Sequence, residues 1–185
     1  WFTTRRRVIG VGYGWLLRGT YFCFAAGALA AGLAFGSNPI REVSSALVAL
    51  ACLFALVVSI NRRGAGVTGQ DAEFDRRTDR VAAMTGIERT VDDDVVRSGK
   101  EFNPILDLVP ALIGFVGLIA ASIDAAADSS FGTIVVALLR TLIGAAFIGA
   151  ISDGMLLGHW YLVQPGLPRK MLNEMVTALG CLWPL

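Results

Sequence analysis

The sequence predicts an all-α, multi-pass transmembrane protein with at least four spans and one cytoplasmic loop of about 40 residues. Of the 185 residues, 55% are hydrophobic and only 17% are charged. In a soluble domain about a quarter of the residues are charged. The charges fall in a few blocks, which leaves apolar runs of 18 residues or more between them.

The first 60 residues are predicted to form a transmembrane hairpin with spans at 19–36 and 43–60. Each span has 18 residues, or about 27 Å of helix, which is close to the thickness of the hydrocarbon layer. Arg18 stands directly before the first span and is expected to extend its charge to the interface. The turn between the spans is too short for anything except an antiparallel pair.

Residues 61–102 are predicted to be a polar loop, since they contain eight Lys/Arg and nine Asp/Glu. A short helix is expected over 71–84. A further helical turn is expected after Asp92-Asp93-Asp94, because acidic side chains favour helix N-termini. At this length the segment is a loop with local helices and not a domain.

Residues 103–163 are predicted to form a second hairpin with spans at about 105–123 and about 137–163. Pro110 is expected to kink the third span. The apolar run over 131–163 would give about 50 Å of helix, so it must tilt, extend beyond the bilayer or break near 149–154. Residues 164–185 are predicted to be either an interfacial helix or the start of a fifth span.

The distribution of basic residues predicts the orientation. Fourteen of the sixteen Lys/Arg lie in the N-terminal segment, the 61–102 loop or the segment after residue 163. Arg41 is alone on the opposite side, and Arg140 lies within a span. The positive-inside rule therefore predicts that the central loop is cytoplasmic in a plasma membrane of bacterial type.

Ionisable residues at membrane depth are the candidate functional residues, because burying a charge in lipid is expensive. Asp107 and His159 are predicted to lie in the same leaflet on neighbouring antiparallel helices, where they could pair. Asp124 and Arg140 are both predicted to lie toward the opposite side and could form a second pair. Either pair could align helices or serve a function.

Asp153 lies ten residues before the end of the fourth apolar run, so it is expected about 15 Å deep, near the middle of the membrane. A neighbouring helix supplies it with a partner, or it is protonated. A proton-cycling carboxylate at this depth is typical of transporters. A hydrogen bond to Ser152 or to backbone is the structural alternative.

His159 is the only histidine and is a weak candidate for cofactor binding, through one axial haem bond or a quinone contact. A second histidine ligand from this chain is impossible. The adjacent Trp160 and Tyr161 equally predict an ordinary interfacial residue. We therefore predict no cofactor.

Several classes of function are disfavoured. A net charge of +1 provides no basic surface for nucleic acid. The three cysteines lie in separate apolar stretches, so no metal site is predicted, and no hydrolase or nucleotide-binding motif predicts a catalytic residue.

The leading prediction is a non-catalytic subunit or assembly partner of a larger membrane complex. It would contact the lipid bilayer and either a membrane-protein partner or further copies of itself. A small proton- or cation-linked transporter that uses Asp153 is the alternative. A redox membrane subunit that uses His159 is a further alternative.

Overall fold

The computed structural model describes residues 3–6, 9, 11–36, 38–67, 70–86, 100–128, 130–163 and 167–184. Regular structure in these ranges is helical, apart from one isolated bridge between Val67 and Phe102. Four of the described helices are long and apolar enough to cross a membrane. The all-α class and the four helices of membrane-spanning length are therefore confirmed.

Helices α1 (Val11–Phe35) and α2 (Pro39–Asn61) form the first hairpin. They contain nearly all of the two predicted spans, and α1 begins eight residues before its span. Asn38 starts α2, because its side-chain oxygen accepts hydrogen bonds from the N–H groups of Ile40 and Arg41, both at 3.1 Å. Pro39 follows at the first helical position, where no N–H donor is needed.

The polar loop contains α3 (Gln70–Thr85), in agreement with the helix expected over 71–84. The two ends of the polar loop are joined, because the Phe102 N–H donates to the Gly66 carbonyl at 2.9 Å. The Arg62 guanidinium also donates to the Glu101 carbonyl at 3.2 Å. The helical turn expected at Asp92-Asp93-Asp94 lies outside the described residues.

Helix α4 (Leu108–Ala125) follows a 3₁₀ turn at Pro104–Asp107. The Asn103 side chain caps this turn by accepting from the Ile105 N–H at 3.0 Å. Pro110 is consequently the third residue of α4, where a missing N–H costs nothing. The chain changes from 3₁₀ to α geometry before Pro110, in place of the expected kink within the span.

Helix α5 (Phe131–Val163) is continuous over 33 residues, so a break near 149–154 is wrong. Helix α6 (Lys170–Leu182) folds back along it, with the rings of Phe147 and Trp183 5.8 Å apart. The two alternatives for 164–185, an interfacial helix and the start of a fifth span, both stay predictions.

Neighbouring helices pack in the order α1, α2, α4, α5 and α6. We call the end of the bundle at which α1 and α4 begin the Arg18 end, and the opposite end the Asp124 end. Helices α1 and α5 meet at the Arg18 end, where the largest buried apolar cluster lies. This cluster contains Tyr13 and Leu17 of α1, Leu157 of α5, and Met171 and Met175 of α6.

Helices α2 and α4 approach closely at Gly117, where an added Cβ would overlap the side chain of Ser44. One turn earlier, a Cβ on Gly114 would meet Val48 only at an ordinary distance of 3.5 Å. The close packing of the second and third spans therefore depends on glycine at 117.

Candidate functional site: the polar cluster at the Arg18 end and Arg140 on helix α5

Arg18 and Asp107 form a two-bonded ion pair between α1 and the start of α4. Arg18 Nε donates to Asp107 Oδ1 at 2.7 Å, and Nη2 donates to Oδ2 at 2.8 Å. Their side chains are only 7% and 8% exposed. Two parallel bonds give the geometry that makes a desolvated arginine–carboxylate pair stable.

The remaining arm of the Arg18 guanidinium binds α2, since Nη1 donates to Ser59 Oγ at 2.9 Å. Trp15 Nε1 donates to the same oxygen at 3.2 Å. Phe102 covers the guanidinium, with Arg18 Cζ 4.2 Å from the ring centroid. We call Trp15, Arg18, Ser59, Phe102 and Asp107 the Arg18 cluster; it connects α1, α2, α4 and the end of the central loop.

The sequence folds this way locally because Gly14 precedes Arg18 by one helical turn. A Cβ on Gly14 would lie 2.7 Å from Arg18 Nη1, so a larger residue would force the guanidinium to shift from this position. The expectation that Arg18 extends to the interface is wrong. Its charge is directed into the bundle, where Asp107 and Ser59 satisfy it.

Tyr13 and Asp153 form the second polar contact at this end. The Tyr13 hydroxyl donates to Asp153 Oδ1 at 3.0 Å and lies 3.3 Å from the Asp153 carbonyl oxygen. Tyr13 is 1% exposed and packs on the Trp160 ring, with centroids 5.5 Å apart. This hydrogen bond ties α5 to α1.

The contact with Tyr13 also gives the position of Asp153 along the bundle. Tyr13 is the third residue of α1, so Asp153 lies near the Arg18 end and not midway along the bundle. How deep Asp153 lies in a membrane stays a prediction.

A small cavity of mixed polar and apolar lining lies between the two contacts; Tyr13, Arg18, Ser59 and Ile9 are among its lining residues. Its volume is about 10 Å³, enough for one water molecule at most. The hydrogen bonds and the ion pair around this cavity hold the helices together at the Arg18 end.

Neither of the two predicted pairs forms. Asp107 is turned toward α1 by Arg18, whereas His159 is exposed near the end of α5, with Nδ1 3.4 Å from the Met155 carbonyl oxygen. At the other end, the Asn38 side-chain amide donates to Asp124. Arg140 is exposed and has no ion pair or hydrogen bond with the described residues.

The rotation of α5 explains why Arg140 misses Asp124. Successive residues of an α-helix are about 100° apart. Ile134, Leu138, Thr141 and Ala145 are partly buried and share one face of α5 near the Asp124 end. Since α4 packs beside α5, we assign this face to the contact with α4. Arg140 points about 130° away from the centre of that face.

Among the described residues, no three His, Cys, Asp or Glu side chains converge as metal ligands would. His159 lies on an exposed surface of α5.

Sequence reasoning missed Arg18, Ser59 and Tyr13 as members of the polar contacts. Arg18 could have been found from its charge and position, because it is a basic residue at the same end of the bundle as the acidic Asp107. Tyr13 had no comparable signal, since tyrosine at the start of a span is equally typical of an interfacial belt.

Comparison with known proteins adds no assignment. No family model matches the chain, and no curated protein or solved structure matches it either.

Proposed function

We propose that the chain is a non-catalytic integral subunit or assembly partner of a larger membrane complex. The observation that carries this proposal is Arg140, an exposed arginine on a membrane-length apolar helix, directed away from α4. Isolated charge in a hydrocarbon environment is costly, and such residues usually face protein or water. A partner protein that covers this face of α5 would remove the cost.

The Arg18 cluster supports the same function by a different route. Its arginine uses three donors to join α1, α2 and α4, and it is almost fully buried. Such a network favours one fixed arrangement of helices over a moving gate. A rigid scaffold with a charged, exposed helix face is what an assembly subunit requires.

The orientation is part of the proposal. The Arg18 end and the central loop would face the cytoplasm of a bacterial-type plasma membrane, on the strength of the basic residues concentrated there. Arg140 would then lie in the half of the membrane away from the cytoplasm.

Purification from the native membrane tests the proposal. The chain is tagged at its own locus, extracted in a mild detergent, and its particle size and protein composition are measured. A fixed stoichiometric ratio with a second membrane protein is expected. Recovery of the chain alone, at the mass of a monomer or homo-oligomer, contradicts a subunit role.

A proton-linked transporter that uses Asp153 is the second candidate. Its specific support is that the described contact of the carboxylate is a tyrosine hydroxyl and not a cation. Asp153→Asn should then abolish the uptake of the transported solute into vesicles under a pH gradient, while the folded protein is still recovered. Unchanged uptake would exclude Asp153 from transport.

A further inference from the structure

We infer that Arg140 binds an aspartate or glutamate side chain on a transmembrane helix of a partner protein, packed along the exposed face of α5. This inference rests on the proposed function and adds the chemistry of the partner. The face consists of Thr133, Val136 and Arg140, which recur at intervals of three and four residues and are all exposed.

The depth of Arg140 favours a carboxylate in the membrane over a lipid headgroup. Arg140 is nine residues from Phe131, the first residue of α5, which is about 14 Å along the helix. Helical side chains point toward the helix N-terminus, so Arg140 is directed toward the Asp124 end. An arginine side chain extends roughly 6–7 Å, about half of the distance to that end.

The position of α6 indicates that this face of α5 accepts a helix. Phe147 is seven residues from Arg140, which puts it about 20° away around the helix axis. Phe147 already packs against Trp183, at the end of α6. A partner helix on Thr133, Val136 and Arg140 would therefore continue the line of contact that α6 makes.

The positive charge of Arg140 determines the chemistry of the partner. A guanidinium with no ion pair or hydrogen bond in the described chain needs an acceptor that carries a negative charge. In a membrane such an acceptor is stabilised as much as the arginine is, because each would otherwise be an unpaired charge in lipid. The carboxylate must lie at the depth of Arg140, since neither side chain can move far along its helix.

Association of the full chain with designed helices in lipid vesicles tests the inference. The probes are leucine-rich transmembrane peptides that carry one Asp, Asn or Leu at the depth of Arg140, and one that carries Asp near the opposite interface. Energy transfer between the labelled chain and each peptide gives the affinity at pH 8. The Asp peptide should associate about tenfold more tightly than the Leu peptide, and the Asn peptide should fall between them.

Arg140→Leu should remove the preference for Asp, and Arg140→Lys should retain part of it. An equal affinity for the Asp and Leu peptides would overturn the inference. A preference for the Asp peptide that persists in Arg140→Leu would also overturn it. So would an equal affinity for the two Asp peptides, which carry Asp at different depths. Self-association of the chain that Arg140→Leu abolishes would assign the carboxylate to a second copy and also overturn it. A stoichiometric partner recovered from native membranes would leave the proposed function intact in each of these cases.

Discussion

Arg18 and Asp107 lie 89 residues apart in the chain and form two hydrogen bonds, at 2.7 and 2.8 Å, with both side chains buried. The pair joins the two hairpins that the apolar runs define. Since the third arm of Arg18 reaches Ser59 on α2, removal of this one side chain affects contacts among three helices.

Removing one partner of the pair should destabilise the protein strongly. Asp107→Ala leaves the Arg18 guanidinium buried without a counter-charge, which costs about 3–5 kcal/mol. The midpoint of thermal unfolding in detergent should fall clearly. The double variant Arg18→Met with Asp107→Leu should lose less stability than the sum of Arg18→Met and Asp107→Leu.

His159→Ala is the matched control for this pair, because His159 was the sequence-predicted partner of Asp107 and is exposed in the structure. The midpoint of thermal unfolding of His159→Ala should equal that of the unsubstituted protein. Coupling between Asp107 and His159 in a double-variant cycle, without coupling between Asp107 and Arg18, would contradict the structure.

Tyr13→Phe should weaken the contact between α1 and α5. The substitution removes the hydroxyl that donates to Asp153 and retains the ring on Trp160. Loss of the partner of a buried acceptor costs about 1–3 kcal/mol, and Asp153 is only partly buried, so a cost near the lower end is expected. Tyr21→Phe serves as the control, since the Tyr21 hydroxyl has no hydrogen bond within the described residues, and equal destabilisation by both variants would count against the bond.

Gly117→Ala should force α2 and α4 apart, because its Cβ would overlap Ser44. Overpacking of this kind costs about 1–3 kcal/mol. Gly114→Ala, whose Cβ would meet Val48 at 3.5 Å, should leave stability unchanged or increase it. Adding Ser44→Gly to Gly117→Ala should restore the thermal midpoint, and failure of this rescue would place the strain elsewhere.

The proposed orientation predicts which loops an impermeant thiol reagent can reach. The native cysteines are first replaced, and single cysteines are introduced at Ala127, near the Asp124 end, and at Ala83 on α3. Both positions are exposed. Ala127→Cys should react in intact cells and Ala83→Cys only after the membrane is opened; the opposite pattern would reverse the orientation.

The helices could be predicted from the sequence because length and hydropathy alone define a membrane-spanning segment. Each predicted span falls largely within a helix, and even the short α3 was expected within one residue at each end. Capping residues such as Asn38 and Asn103 determined where helices begin, in the ordinary way.

The polar contacts could not be predicted in the same way. Spans that are apolar on all sides have no periodicity that indicates which face meets which neighbour, so Arg140 was paired with Asp124 on depth alone. The same approach paired Asp107 with His159, because hydropathy does not indicate which side of α5 faces the other helices. The local steric signal of Gly14 beside Arg18 is visible only once the side chain is placed.

Site-specific photocrosslinking in native membranes tests most directly whether a partner covers this face of α5. A photoreactive amino acid replaces Val136 or Thr133, which share the face of Arg140, and Leu138, which faces α4, is the control. The proposed function predicts one crosslinked protein of defined mass from positions 136 and 133, none from 138, and loss of the product in Arg140→Leu. Crosslinks to lipid alone at both exposed positions would contradict the assignment of this face to a protein partner.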